Sequence, residues 1–239
     1  MTTHEILRYL RSKGSKKNVE GMARYGIVSP KAFGVSVKHL TALSKRIGTD
    51  HTLALKLWDT GWFEARILAA FIADPGEMTR TLMNRWANDF DNWAITDGLC
   101  LHLFRYTPYA HAQAKLWCGR KKEFVKRAGF SMIATLSVHD KKAPDKTFTS
   151  YLRIIERHAI DDRNAVKKAV NWALRQIGKR NASLYRRAIV TAERLEKKKS
   201  PAARWVAKDA LREFRNPKIR ARVLGKMQPR RARRTTKKD

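Results

Sequence analysis

Val166-Lys167-Lys168-Ala169-Val170-Asn171-Trp172-Ala173-Leu174-Arg175-Gln176-Ile177 decides the fold class. Val166, Val170, Ala173, Leu174 and Ile177 recur at the three- and four-residue spacing of a helix buried along one face. Apolar clusters return at Leu53, Leu55, Leu57 and Trp58, at Ile67, Leu68, Phe71 and Ile72, and at Leu152, Ile154 and Ile155. No long period-two alternation marks a strand. Five of the seven prolines follow a residue able to cap a helix: Ser29-Pro30, Asp74-Pro75, Thr107-Pro108, Ser200-Pro201 and Asn216-Pro217. A side-chain oxygen at the cap followed by proline at the first helical position is a start signal, because that position has no intrahelical use for its N–H. Gly26, Gly48, Gly61 and Gly178 stand where helices should stop. This punctuation predicts helices near 3–13, 16–25, 36–47, 51–60, 63–73, 75–89, 92–103, 108–118, 121–137, 146–159, 163–178, 182–197, 201–214 and 217–225. Successive pairs repeat roughly every 30 to 45 residues, the period of HEAT-type solenoids. The expected fold is all-α, a HEAT-like helical-repeat superhelix whose concave, basic face could cradle an extended polymer.

Charge narrows the partner. The 239 residues carry 52 Lys and Arg against 21 Asp and Glu, a net charge of +31. That excess exceeds any need of solubility and points to a polyanion. A membrane is the weaker candidate. No apolar run approaches the roughly 18 residues of a span, and no basic amphipathic segment stands apart from the body. The start Met1-Thr2-Thr3-His4-Glu5 has no signal-peptide pattern, so a cytoplasmic location is expected. Cys100 and Cys118 lack metal-ligand spacing and read as free thiols in a reducing compartment, with no metal site. The expected organisation is one domain over 1–226 and a basic tail over 227–239. The tail would add nonspecific phosphate attraction, or serve solubility alone.

Two short stretches stand out as a candidate site. In Asp91-Asn92-Trp93-Ala94-Ile95-Thr96-Asp97, Asp91 or Asn92 is a natural N-cap, and Trp93 and Asp97 lie one turn apart on one face. Trp172 and Arg175 form a second pair at i and i+3. Such a group could hold a cationic sugar beside a phosphate. The plainer reading makes the tryptophans core residues and the aspartate a servant of the helix dipole.

Together with Met22-Ala23-Arg24-Tyr25, Phe33-Gly34-Val35, Leu57-Trp58-Asp59 and Arg127-Ala128, these stretches resemble the AlkD-like DNA alkylation repair glycosylases, which are HEAT-like repeat proteins. The resemblance spans roughly residues 5–215 and rests on the order and spacing of the fragments. It implies Asp97 as the catalytic aspartate, with Trp93 and Trp172 as the site tryptophans. It also implies Arg127 and Arg175 as phosphate-gripping arginines and Tyr25 as an aromatic reaching the DNA. Asn92 and Asn171 depart from residues found in relatives.

The chemistry implied by the resemblance is excision of cationic N-alkylated purines of the 3-methyladenine and 7-methylguanine class from duplex DNA. A cationic base leaves without protonation, so one ionised carboxylate suffices where ordinary glycosidases use two. The expectation is a monofunctional, monomeric DNA glycosylase of base excision repair. It would need no cofactor and no obligate protein partner. The alternatives are a noncatalytic HEAT-repeat protein that binds distorted or damaged duplex, and a HEAT scaffold for a protein partner.

Overall fold

The computed structural model describes residues 1–225. Among them there are fourteen α-helices and no strand: α1 (Thr3–Ser12), α2 (Lys16–Arg24), α3 (Val37–Ile47), α4 (His51–Asp59), α5 (Phe63–Ile72), α6 (Arg80–Asn88), α7 (Trp93–His102), α8 (Ala110–Cys118), α9 (Glu123–His139), α10 (Asp145–His158), α11 (Asn164–Gly178), α12 (Ala182–Glu196), α13 (Pro201–Arg215) and α14 (Pro217–Gly225). A short 3-10 turn, Phe104–Tyr106, follows α7. The expected tail over 227–239 lies outside the described residues.

Most helix bounds match the expectation, but the cap-and-proline signal holds at only two of its five sites. Ser200 caps α13 by accepting from the Ala203 N–H at 3.3 Å, with Pro201 first in the helix. Asn216 accepts from the Lys218 N–H at 3.0 Å at the start of α14. Asp74 instead closes a turn, accepting from the Gly76 N–H at 2.7 Å, and α6 starts later, capped by Thr79. Pro108 likewise sits in a turn ahead of α8, and Ser29-Pro30 lies in the strap between α2 and α3. An Asp-Pro or Thr-Pro pair is as good a turn former as a helix opener, and neighbouring packing decides between them.

α3, α5, α7, α9, α11 and α13 stack in sequence as one layer, termed the inner layer, while α4, α8, α10 and α12 pack on the backs of these helices as the outer layer. The core between the layers is apolar and aromatic. Trp58, Trp86 and Trp117 are fully buried, and Trp58 stacks on Trp86 with ring centroids 4.3 Å apart. Glycine sets how closely some helices approach. A Cβ at Gly129 of α9 would stand 2.4 Å from the Cys118 backbone nitrogen, so α8 can lie against α9 only if that side chain is missing. Gly178 ends α11 as expected, yet its place is also dictated by packing: a Cβ there would meet the Phe214 ring at 2.5 Å.

The strap between α2 and α3 is held by a buried carboxylate. Glu64 of α5 is fully buried and accepts from the N–H groups of Phe33, Gly34 and Val35 at 3.0, 2.6 and 3.1 Å. Gly34 adopts φ +78°, a left-handed conformation that glycine takes without steric cost. The Asn18 side chain donates to the Gly34 carbonyl at 2.8 Å. These bonds tie α2, and Tyr25 at its end, to the inner layer.

Candidate active site

Asn92 is the N-cap of α7, its side chain accepting from the Ile95 N–H at 3.0 Å. Trp93 therefore opens the helix, and its side chain remains 38% exposed. Its indole N–H donates to the Tyr25 carbonyl at 2.9 Å, which fixes the ring against the end of α2. Tyr25 itself is 77% exposed.

One turn along α7, Asp97 faces α9. Arg127 grips both carboxylate oxygens, Nε on Oδ1 at 3.0 Å and Nη2 on Oδ2 at 2.6 Å. The Ser131 hydroxyl donates to Oδ1 at 2.6 Å. Arg127 and Ser131 are four residues apart, so one face of α9 supplies all three donors. The remaining Arg127 Nη1 donates to the Ala165 carbonyl at 2.7 Å, linking the pair to the first turn of α11. Arg127 is buried, whereas the Asp97 side chain keeps 20% of its exposure.

A groove of about 510 Å³ lies beside this cluster, with Tyr25, Trp93, Phe124 and Arg127 along it and Asn164, Ala165 and Lys168 on the α11 side; Arg127 joins it to Asp97, which does not itself line it. Glu123 also lines it. The α11 wall is braced from below by Asp161. Its carboxylate takes Arg163 Nε at 3.0 Å, Arg163 Nη2 at 2.7 Å and Lys126 Nζ at 2.8 Å. These bonds, Arg163's first, hold the Asp161 carboxyl well below the usual carboxylate range despite partial burial.

The structure thus brings Tyr25, Trp93, Asp97 and Arg127 together. Trp172 lies one turn beyond Lys168 on the same face of α11, half-buried against the core and outside the groove lining. Arg175 stands farther along α11, paired with Glu213 of α13, with Asp209 at 3.8 Å. Sequence reasoning passed over Ser131, Phe124, Glu123 and Asn164. Ser131 had a signal, its i+4 spacing from Arg127; the others are brought in by the meeting of α9 and α11.

Cys100 is fully buried behind Asp97, and burial pushes its thiol and that of Cys118 far upward. Neither can act as a thiolate at neutral pH. Among the described residues no cluster of His, Cys, Asp or Glu could hold a metal, and no helix is long and apolar enough to cross a membrane.

These features define a HEAT-like helical-repeat protein in which Tyr25, Trp93, Asp97 and Arg127 gather where α2, α7 and α9 meet. The fold matches a solved structure described as "A new family of proteins related to the HEAT-like repeat DNA glycosylases with affinity for branched DNA structures". The match has a TM-score of 0.75 and 20% identity, over 90% of this chain and 96% of that one. Residues 6–214 match the family described as DNA alkylation repair enzyme, and the chain belongs to that family. No curated protein matches it.

Proposed function

We propose that the protein is a DNA glycosylase that removes cationic N-alkylated purines from duplex DNA by hydrolysis. The observation that carries this reading is the setting of Asp97, a partly exposed carboxylate fixed by three donors one turn from Trp93. A carboxylate has about four lone-pair sites, and three are filled. The fourth, on Oδ2, is left to accept from a water or to face the sugar. An alkylated purine leaves as a neutral base, and positive charge develops on the deoxyribose. Asp97 stabilises that charge and directs the water, a preorganised electrostatic contribution. The Trp93 ring, set by its bond to Tyr25, offers a π face to the same sugar, worth about 0.5–2 kcal/mol. Trp172 would complete the cradle once DNA occupies the inner face. Arg127 acts in this reading first as the holder of Asp97, and Lys168 supplies a cation toward phosphate.

The second reading is a noncatalytic protein that binds distorted or branched DNA. It draws on the strength of the Asp97–Arg127 pair and on the affinity of the related solved protein for branched DNA. One experiment separates the two: release of methylated bases from alkylated duplex under single-turnover conditions. The glycosylase reading expects release of 7-methylguanine or 3-methyladenine and none of uracil, since it assigns no group to protonate a neutral leaving base. Tight binding without release of any methylated base would assign the protein to the second reading.

A further inference from the structure

The outer layer carries a basic surface that the inner-face reaction does not use. α10 and α12 lie side by side there, and a groove of about 310 Å³ runs between them. Arg153 stands on the α10 wall, and Arg186, Arg187 and Arg194 on the α12 wall. On α12, residues 187, 190, 191 and 194 follow helical spacing, so Arg187 and Arg194 flank Val190 and Thr191 on one face. An adjoining groove of about 450 Å³ between α12, α13 and α14 is lined by Arg186 again, with Arg215 and Arg220. Arg186 therefore belongs to both, and the two grooves form one continuous basic tract.

What distinguishes this tract is the freedom of its guanidinium groups. Arg127 and Arg175 of the inner layer are committed to Asp97 and Glu213. Of the six outer arginines, among the described residues only Arg194 is ion-paired, to Glu156 at 3.8 Å. Glu156 and Glu193 are the two acids lining the grooves. Free, exposed guanidinium groups with planar donor forks suit phosphate. From Arg186 to Arg194 is eight residues, about 12 Å of helix, a length over which one DNA strand carries about three or four phosphates. Apolar side chains such as Leu152, Val190, Ile189 and Leu211 share the lining, but neither groove is an enclosed cavity, and the exposed guanidinium groups along them are placed to meet a polymer backbone.

We propose that this outer tract binds the phosphodiester backbone of a second duplex segment, so that one protein holds two duplex arms at once, one on each layer. The proposal does not depend on glycosylase activity at the inner site. The test is a bridging assay on the full chain: an undamaged duplex on beads, a labelled second duplex in solution, and protein added at low salt. The variant is Arg153→Gln/Arg186→Gln/Arg187→Gln, and the control is Arg8→Gln/Arg11→Gln/Lys13→Gln, which removes equal charge from α1 and the residue that ends it. The wild type and the control should capture the labelled duplex. The outer variant should capture at least 10-fold less while binding a single duplex within about threefold. Its capture should also depend less steeply on salt, by roughly 0.9 in slope for each phosphate left without a cation. Undiminished capture by the outer variant would overturn the proposal, and so would an equal loss in the α1 control. Methylated-base release, run in parallel, should be unchanged in the outer variant. A wild type that bridges but releases no base would count against the inner-site reading alone.

Discussion

Arg127 and Asp97 meet as a two-pronged ion pair across α7 and α9, and the arginine is the more deeply buried partner. The pair joins stability to chemistry. Asp97→Asn should lower single-turnover excision by on the order of 10²-fold or more, as loss of a charge that acts on the transition state does. It also leaves Arg127 without its counter-ion, so a stability loss of up to about 3 kcal/mol should accompany it. Denaturant titration beside the rate measurement separates the two. A variant with near-normal rates would end the mechanism.

Ser131→Ala tests the same carboxylate without disturbing charge. It deletes one donor to Oδ1 and leaves the ion pair. Excision should fall about 10-fold, and stability should fall as well, by about 1.5–3 kcal/mol, the contribution of a hydrogen bond to a charged group. If Asp97 serves only the fold, Ser131→Ala would change stability and leave the rate alone.

Glu64 is the structural carboxylate of the molecule. Glu64→Ala strands the three N–H groups of Phe33, Gly34 and Val35 and opens a cavity. A loss of about 3 kcal/mol or more is expected, read by thermal unfolding. Because the strap carries the end of α2, the tryptophan emission lost on Trp93→Phe should also differ between Glu64→Ala and wild-type backgrounds as the Trp93 bond to Tyr25 loosens.

Asp161 makes stability depend on acid. Its folded pKa is depressed, so the stabilisation is complete above the unfolded value of 3.8 and is lost as pH falls from there through the folded pKa. Denaturation curves between about pH 5 and pH 2 should show the wild type losing stability faster than Asp161→Asn. At neutral pH the variant should be the weaker protein, because Lys126 and Arg163 lose their shared partner. Parallel pH curves for the two proteins would reject the assignment.

Removal of residues 227–239 takes away six Lys and Arg. Duplex affinity should drop and its salt dependence flatten, with excision at saturating protein retained. Complete loss of excision would mean that this segment belongs to the site.

Much of this protein was determined by its sequence alone. Periodic apolar residues such as Val166, Val170 and Ile177 require a helix with one buried face, wherever that helix is placed. Asp91 or Asn92 had to cap α7, because a short side-chain acceptor there meets a backbone N–H that has no other partner, and the structure selects Asn92. With α7 so begun, Trp93 and Asp97 necessarily share a face. The strong positive charge is likewise a property of composition.

Only the tertiary structure decided what those faces meet. Nothing in the spacing of Arg127 shows that its guanidinium reaches across to Asp97, because a separation of 30 residues spans two intervening elements. Nor does it show that Ala165 closes the other end of that guanidinium. The resemblance implies Arg175 as a phosphate-gripping arginine, yet α13 brings Glu213 against it. Asp74-Pro75 and Thr107-Pro108 read as helix starts and became turns. The physical reason is the same in each case. Local preferences amount to about 1 kcal/mol per cap and are settled within a turn of helix, whereas the partner of a charged side chain is chosen by which helix the stack places beside it.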